Sequence, residues 1–411
     1  MTARTIVFWT STGLIVYAHA GYGALLRVLD RVGGERARNE GRASVTAPLI
    51  GRAPNAPGRG RGQAPQAPAP ADQPTVSTAG APVVSVIVAA YAEQEVIAGR
   101  VANLRALEYP PDRLELIVAC DGSSDETALR ARAAGADLVL ELGRGGKIRA
   151  QDAAVERARG EIVAFSDANA RWEPGALRAL VAPFEDRRVG YVCGDVRFVN
   201  ERGTNQEGLY WRYEMTLRAR ESRLRSVTGG NGAIYATRRD AYMIVDPIMG
   251  HDLSFPFKMV KRGWLAVYAP NARASERMVP SIEGEFARKR RMMSHGWPIV
   301  IRGGMLSPRG YDPLYALMLF SHRVLRYLSP FLHVTALGTS IALLARGRVY
   351  VLAVGVQAAV LVGALLAREV PARPLLIARY YVLSTAALAA GLWDWLARGT
   401  PVGWEPAEGT R

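Results

Sequence analysis

Three short apolar runs, each closed by a polar turn, set the rhythm of the middle of the chain. Val84–Ala90 is bounded by Pro82 and by the polar stretch Tyr91-Ala-Glu-Gln-Glu95. Leu114–Cys120 is closed by Asp121-Gly-Ser-Ser-Asp125, and Glu161–Ser166 by Asp167-Ala-Asn169. Between them, stretches 94–107, 125–134 and 147–159 carry apolar residues at helical spacing. Runs of strand length alternating with helices of this size predict βαβ units and a parallel sheet. Ligands of such sheets bind beyond the carboxyl ends of the strands. Glu93, Asp121 and Asp167 all fall at that edge, which points to a nucleotide or metal site.

The pattern continues with a strand over Tyr191–Val199 and a charged amphipathic helix over 206–225. A glycine-rich turn in Ser226–Ala236 then feeds a short strand. A helix begins at His251, a strand covers Trp264–Tyr268, and a very basic helix, Glu283–His295, carries Arg288, Lys289, Arg290 and Arg291. Together these define a globular domain over 83–304.

Both ends of the chain read differently. Thr5–Leu26 is almost uncharged and about long enough to span a bilayer. A signal peptide competes, because Ala18-His-Ala20 resembles a cleavage site. The weakly charged start and the further spans downstream favour an anchor over 1–28. Arg27, Arg31, Arg36, Arg38 and Arg42 follow it, so the positive-inside rule puts this side in the cytoplasm and the N-terminus outside. Residues 29–82, rich in Gly, Pro, Ala and Arg, read as a flexible linker. Residues 305–326, marked by His322, Arg323 and Arg326, read as an amphipathic interfacial segment. Three apolar segments of spanning length follow in 327–397 (327–345, 349–366 and 375–396), with Trp393, Trp395 and Trp404 as interfacial anchors and 398–411 as a tail. Four crossings put the C-terminus outside, together with the Arg346-Gly-Arg348 turn, against the charge rule. The expectation is a multi-pass protein of the cell (inner) membrane with a cytoplasmic catalytic domain.

Charge adds a partner class. There are 52 Lys+Arg against 37 Asp+Glu, a formal +15, and such an excess seeks a polyanion. Much of it lies in the linker and beside the membrane segments, and no aromatic residues interleave with the linker arginines. Membrane lipid is therefore the expected polyanion, and nucleic acid is not expected. The two cysteines, Cys120 and Cys193, give no disulfide framework. Cys120 ends an apolar strand, so a buried reduced thiol facing a reducing compartment is expected.

The motifs Ala90-Tyr-Ala-Glu93, Asp121-Gly-Ser-Ser-Asp125, Gly145-Gly-Lys147, Asp167-Ala-Asn169, Gly229-Gly-Asn-Gly-Ala233, His251-Asp252 and Arg288-Lys-Arg-Arg291 occur in that order. As a set, followed by membrane spans, they resemble the family 2 glycosyltransferases. More narrowly, they resemble the membrane enzymes related to cellulose, hyaluronan, chitin and poly-N-acetylglucosamine synthases. The resemblance runs from about residue 83 to the C-terminus. It implies an α/β domain of GT-A type, a Rossmann-like sheet, with transmembrane helices. It also implies inverting transfer of a sugar from a nucleotide sugar, a UDP-sugar, to a saccharide or lipid-linked acceptor in exopolysaccharide or cell-surface glycan synthesis. Single addition to a polyprenyl phosphate or lipid is the alternative, and a non-catalytic nucleotide-sugar-binding scaffold is another. With so few spans, threading of a polymer would call for a homo-oligomer or an export partner.

Residue roles follow from the same resemblance. Ala90, Tyr91, Glu93 and Asp121 would line the nucleotide pocket, with Asp121 accepting from the uracil ring. An Asx turn or helix cap explains the Asp121–Asp125 spacing equally well. Asp167 and Asn169 match an Asp-x-Asp motif that holds Mg2+ or Mn2+ against the diphosphate, with an uncharged amide in place of the second acid. Lys147, after two glycines, would sit near that diphosphate. Asp252 is the candidate general base, and His251, where the family has Glu, tunes it or caps the helix. Gly230, Asn231, Gly232 and His251 form the acceptor side. Arg288 and Arg291, one helical turn apart, would clamp the leaving diphosphate or rest on anionic lipid. The Gln-x-x-Arg-Trp motif of the processive synthases is Arg288-Lys-Arg-Arg-Met292 here, and Ala92 stands where the family has Asn.

Overall fold

The computed structural model describes residues 2–32, 80–199 and 207–403. Most of the expected linker (33–79), the tail from residue 404 and Trp404 lie outside the described residues. The chain opens with α1 (Ala3–Val16), which runs through a π-helical turn (Tyr17–Gly21) and further helix to residue 32.

The central sheet then begins. β1 (Val84–Ala90), α2 (Ile97–Arg105), β2 (Leu114–Asp121), α3 (Thr127–Ala133), β3 (Leu138–Leu142), α4 (Lys147–Arg157) and β4 (Ile162–Asp167) follow in alternation. Every residue of β1 and β2 is buried, as a sheet covered on both faces requires. Next come β5 (Arg171–Trp172), α5 (Ala176–Val181), β6 (Val189–Val199), α6 (Glu207–Leu224), β7 (Tyr235–Arg238), α7 (His251–Lys261) and β8 (Leu265–Arg277). The strand order is β3-β2-β1-β4-β7-β6-β8-β5. β1 to β4 pair in parallel, as expected, whereas β7 runs antiparallel to both β4 and β6. The sheet is thus mixed beyond β4. β1 lies between β2 on one side and β4 on the other, so the connections part there. The crevice at such a switch point is where this architecture binds ligands, and Glu93 and Asp167 flank it.

The C-terminal part packs back on this domain. α8 (Ile282–Ile301) leads to α9 (Pro313–Leu319), a π-helical turn (Phe320–Val324) and α10 (Leu325–Ala342), which form one helical stretch across the expected boundary at 326. α11 (Arg348–Leu366) and α12 (Arg373–Arg398) complete the set, and both are long and apolar enough to cross a membrane. His322, expected at a lipid interface, is instead 1% exposed and wedged between Glu221 (2.6 Å) and Glu214 (3.0 Å) of α6. α12 is zipped to α8 along its length. Arg379 Nε donates to Glu283 (2.8 Å), Trp297 Nε1 to the Leu388 carbonyl (2.8 Å), and Arg290 grips Asp394 through two bonds of 2.6 and 2.7 Å.

Candidate active site

A cavity of about 800 Å3 opens at the carboxyl ends of β1 and β4 and runs to the face of α12. It brings together Glu93, Lys147, Asp167, Asn169, Gly230, Asn231, Gly232, His251, Asp252, Arg288 and Arg291. Ala90 does not line it: this residue pairs with Cys120 in the sheet and is 1% exposed in the core. Tyr91 and Asp121 stand beside the cavity rather than in its wall.

Asp121 is 3% exposed, and its carboxylate is engaged by one loop. It accepts from the backbone N–H groups of Gly145 (2.6 Å) and Gly146 (2.9 Å) and from Arg144 Nη1 (2.9 Å). The Arg144 guanidinium lies 3.2 Å from the centroid of the Tyr91 ring. The planar group on Tyr91 thus sits on the Asp121 carboxylate, the geometry a base would use. Sequence reasoning missed Arg144; its place directly before Gly145-Gly146 was the available signal. Gly146 has φ +90°, and a Cβ there would come within 2.3 Å of the Val402 carbonyl. The segment after α12 therefore rests on this loop, held by a bond from Thr400 Oγ1 to the Ser294 carbonyl (2.6 Å).

Lys147 starts α4 and ion-pairs with Asp167. Burial works against its charge, but the Asp167 carboxylate outweighs it and the pKa of Lys147 is raised. A lysine at a helix N-terminus beside a glycine pair can hold phosphate oxygens. Asp167 and Asn169 offer hard oxygen donors at the same wall. Among the described residues no three of His, Cys, Asp or Glu gather as a metal cluster. Mg2+ and Mn2+ sites are commonly completed by substrate phosphates rather than by protein alone, so one carboxylate and one amide fit a metal shared with a diphosphate.

The turn Gly229–Ala233 crosses the cavity, and each glycine in it touches a different wall. A Cβ on Gly232 would lie 3.2 Å from Asp167 Oδ2 and 3.3 Å from Lys147 Nζ; on Gly230, 1.9 Å from Tyr191 Oη; on Gly229, 2.4 Å from Arg323 Nη2. Asn231 fixes the turn by donating to the Gly194 carbonyl (2.8 Å) and accepting from the Ile234 N–H (2.9 Å). The Gly230 N–H reaches the Asp252 carbonyl at 2.6 Å.

Gly250 precedes α7, which places His251 and Asp252 at its first turn. His251 is 2% exposed, stacks on Phe255 at 3.9 Å between ring centroids and shares a 2.9 Å bond between Nδ1 and Tyr235 Oη. Burial, then the Lys147 charge, pushes its pKa down to about 3, so it is neutral. Its Nε2 has no hydrogen-bond partner among the described residues. Asp252 is half-buried, and its side chain has no hydrogen-bond or ion-pair partner among the described residues. Such a carboxylate, lining a cavity, can take a proton from a bound hydroxyl.

On α8, Arg288 and Arg291 line the cavity, and Arg288 is also paired with buried Glu285 through two bonds of 2.8 Å. Arg218 and Arg323 line it too; Arg218 was not singled out from the sequence, and Arg323 was read there only as a mark of the interfacial segment.

Residues 85–264 match the family described as Glycosyl transferase family 2. The β-monoglucosyldiacylglycerol synthase of Trichormus variabilis is 33% identical over 164 residues, covering 37% of this chain and 34% of that protein. The protein of the same name from Synechocystis sp. is 33% identical over 175 residues, covering 38% and 34%. The chain thus spans about a third of the length of these curated relatives. Among solved structures, a mannosyltransferase from Pyrobaculum calidifontis in complex with GDP-Man and Mn2+ superposes with a TM-score of 0.61 at 22% identity, covering 93% of this chain and 99% of that one. That likeness extends the shared fold across both the sheet and the C-terminal helices. Residues 85–264 thus match the model of that family, and the likeness to the mannosyltransferase shows that the chain shares its GT-A fold.

Proposed function

We propose that the protein is a membrane-associated inverting glycosyltransferase that moves a sugar from a nucleotide-sugar donor to a lipid acceptor. The observation that carries this reading is one continuous cavity. It joins Lys147, Asp167 and Asn169 at the sheet edge to Ile377, Tyr381 and Leu388 on α12, a helix of membrane-spanning length. A donor placed at the sheet edge then meets an acceptor arriving from the apolar side. Tyr91, Arg144 and Asp121 would hold the base, and Lys147, Arg288 and Arg291 the diphosphate. Mg2+ or Mn2+ on Asp167 and Asn169 would offset the charge of that diphosphate. Asp252 takes the proton of the acceptor hydroxyl as its oxygen attacks the anomeric carbon and the bond to the diphosphate breaks.

Two observations favour a lipid over a growing saccharide. The curated relatives are named for a glucosyldiacylglycerol product, and the Arg288–Met292 stretch lacks the Gln and Trp of the processive motif. The test is nucleoside diphosphate release by the full-length protein in detergent micelles. UDP-glucose, UDP-N-acetylglucosamine, UDP-galactose, UDP-glucuronate and GDP-mannose would be screened with Mg2+ or Mn2+. Metal-dependent release with one donor is expected, reduced about 10²- to 10⁴-fold in Asp252→Asn where the acceptor presents a hydroxyl. Absence of both release and nucleotide binding for every donor would sink the reading.

A further inference from the structure

The glycine turn separates two cationic poles of the cavity. At one end Gly232 faces Lys147 and Asp167; at the other Gly229 faces Arg323. Arg323 comes from the π-helical turn that leads into α10, donates Nε to Thr228 Oγ1 at 3.1 Å and lines the cavity. Among the described residues, its Nη groups meet no hydrogen-bond acceptor. Arg218 of α6 lines the same cavity and is 3% exposed. It donates Nη2 to the Gly230 carbonyl at 2.8 Å, while its Nε has no acceptor among the described residues. The nearby carboxylate of the lining, Glu214, is already shared between His322 and Arg326. The buried Arg218 Nε–H without an acceptor is costly, and the half-buried Arg323 guanidinium lines the same cavity, so a ligand anion that supplied acceptors to both would be held firmly.

We propose that Arg218 and Arg323 form an anion subsite for the acceptor, which takes a phosphate group carried by a lipid headgroup. This rests on the transferase reading and narrows it, since diacylglycerol is uncharged. The two poles divide the work. Lys147 serves the donor diphosphate, Arg323 the acceptor phosphate, and Asp252 lies between them through its bond to Gly230. With a phosphodiester headgroup that bears a hydroxyl, the hydroxyl oxygen bonds to the anomeric carbon. The diphosphate leaves with the electron pair of the broken C–O bond, and the proton goes to Asp252. With a lipid monophosphate, a phosphate oxygen attacks instead and no proton is transferred.

The experiment uses the full-length protein in phosphate-free detergent micelles doped with phosphatidylglycerol, a polyprenyl phosphate or diacylglycerol. Arg323→Gln keeps a donor for Thr228 and removes the charge; Arg323→Lys keeps the charge. The expected result is transfer to a phosphate-bearing lipid in preference to diacylglycerol. Arg323→Gln should raise the KM for that acceptor roughly tenfold to a hundredfold, leave the donor KM unchanged and be partly rescued by Arg323→Lys. Asp252→Asn separates the two sources: it abolishes transfer to phosphatidylglycerol and spares transfer to the polyprenyl phosphate. Preference for diacylglycerol, or a rise in donor KM instead, overturns the proposal. Native mass spectrometry of retained lipid needs no turnover. Selective retention of the phosphate lipid, lost in Arg323→Gln, upholds the subsite even if no sugar is transferred, in which case the transferase reading alone fails. Equal retention of phosphatidylglycerol and diacylglycerol overturns the subsite.

Discussion

Gly230 shows how little room the site has. A single methyl group there would meet the Oη of fully buried Tyr191 at 1.9 Å. Gly230→Ala should displace the turn on which Asp252 leans, and a shift of that size costs roughly 10²-fold in turnover. Tyr191→Phe, which removes the offending oxygen, should recover part of the loss, and steady-state kinetics of the double variant checks it. His251 makes a prediction about pH. Its folded pKa is lowered to about 3 by burial and by Lys147, against about 6.5 in an unfolded chain. Below about 6.5 the unfolded chain therefore binds a proton that the folded one refuses. The contribution is fully present above 6.5 and is lost as pH falls, by up to about 1.4 kcal/mol per pH unit. Thermal shifts at pH 7.5 and 5.5 should show a larger loss for wild type than for His251→Gln. The turn chemistry of Asp121 and the catalytic promise of Asp252 were both legible as residue types. The engagement of Asp121 with Gly145, Gly146 and Arg144 was not, because it depends on a loop 24 residues away closing back on the strand.

Among the elements, those with a strong local pattern were the legible ones. β1, β2 and β4 announced themselves because their residues are buried almost throughout. β3 passed unseen: it is a half-buried edge strand, and Leu138–Leu142 carries no such all-buried run. β8 was recognised in its first residues and missed in the rest, because past Tyr268 it turns polar and half-exposed. The pairing of α8 with α12 was beyond local reading, since it joins segments about 100 residues apart. Arg379 and Asp394 inside an otherwise apolar stretch were its trace, for charges within such a segment are costly unless they find partners. Gly391 lets the two helices approach: a Cβ there would fall 2.5 Å from Met293 Cβ and 2.8 Å from the Arg290 carbonyl. Gly391→Val should pry α12 from α8 and lower thermal stability by about 1–3 kcal/mol. Arg290→Gln, which breaks the ion pair with half-exposed Asp394, should cost less. A larger loss for the arginine variant in thermal unfolding would show that charge, not close approach, holds the pair.

For the molecule as a whole, these contacts bear on how the chain lies in a membrane. Thr2 Oγ1 accepts from Arg346 Nη1 at 3.4 Å, which sets the turn between α10 and α11 beside the N-terminus. α12 starts where α11 ends, with Arg379 Nη1 on the Ala364 carbonyl at 3.1 Å, and its far end delivers Val402 to Gly146 in the catalytic domain. One end of α12 is therefore tied to α11 and the other to the sheet domain. We propose that both ends of α12 lie on the catalytic side and that α12, although long and apolar enough to cross a membrane, docks along α8 with its cavity face toward the lipid, which leaves three crossings, by α1 with its continuation, α10 and α11, in place of four. A protease-cleavable reporter placed after residue 403 should be digested from the same side as one in the catalytic domain. Digestion from the opposite side would restore the fourth crossing. The sequence conveyed the lengths and apolarity of these helices, but not that α12 packs along α8.

The resting place of Val402 on Gly146 also offers an optical handle on the site. Cys120 and Cys193 are both buried, so a cysteine introduced at Val402, half-exposed in this structure, would be the accessible thiol among the described residues. A fluorophore attached there would sit on the β3–α4 loop, which holds the Asp121 carboxylate and leads into Lys147. Its emission would follow nucleotide arrival in real time, turning a packing contact into a reporter of the first step of the cycle.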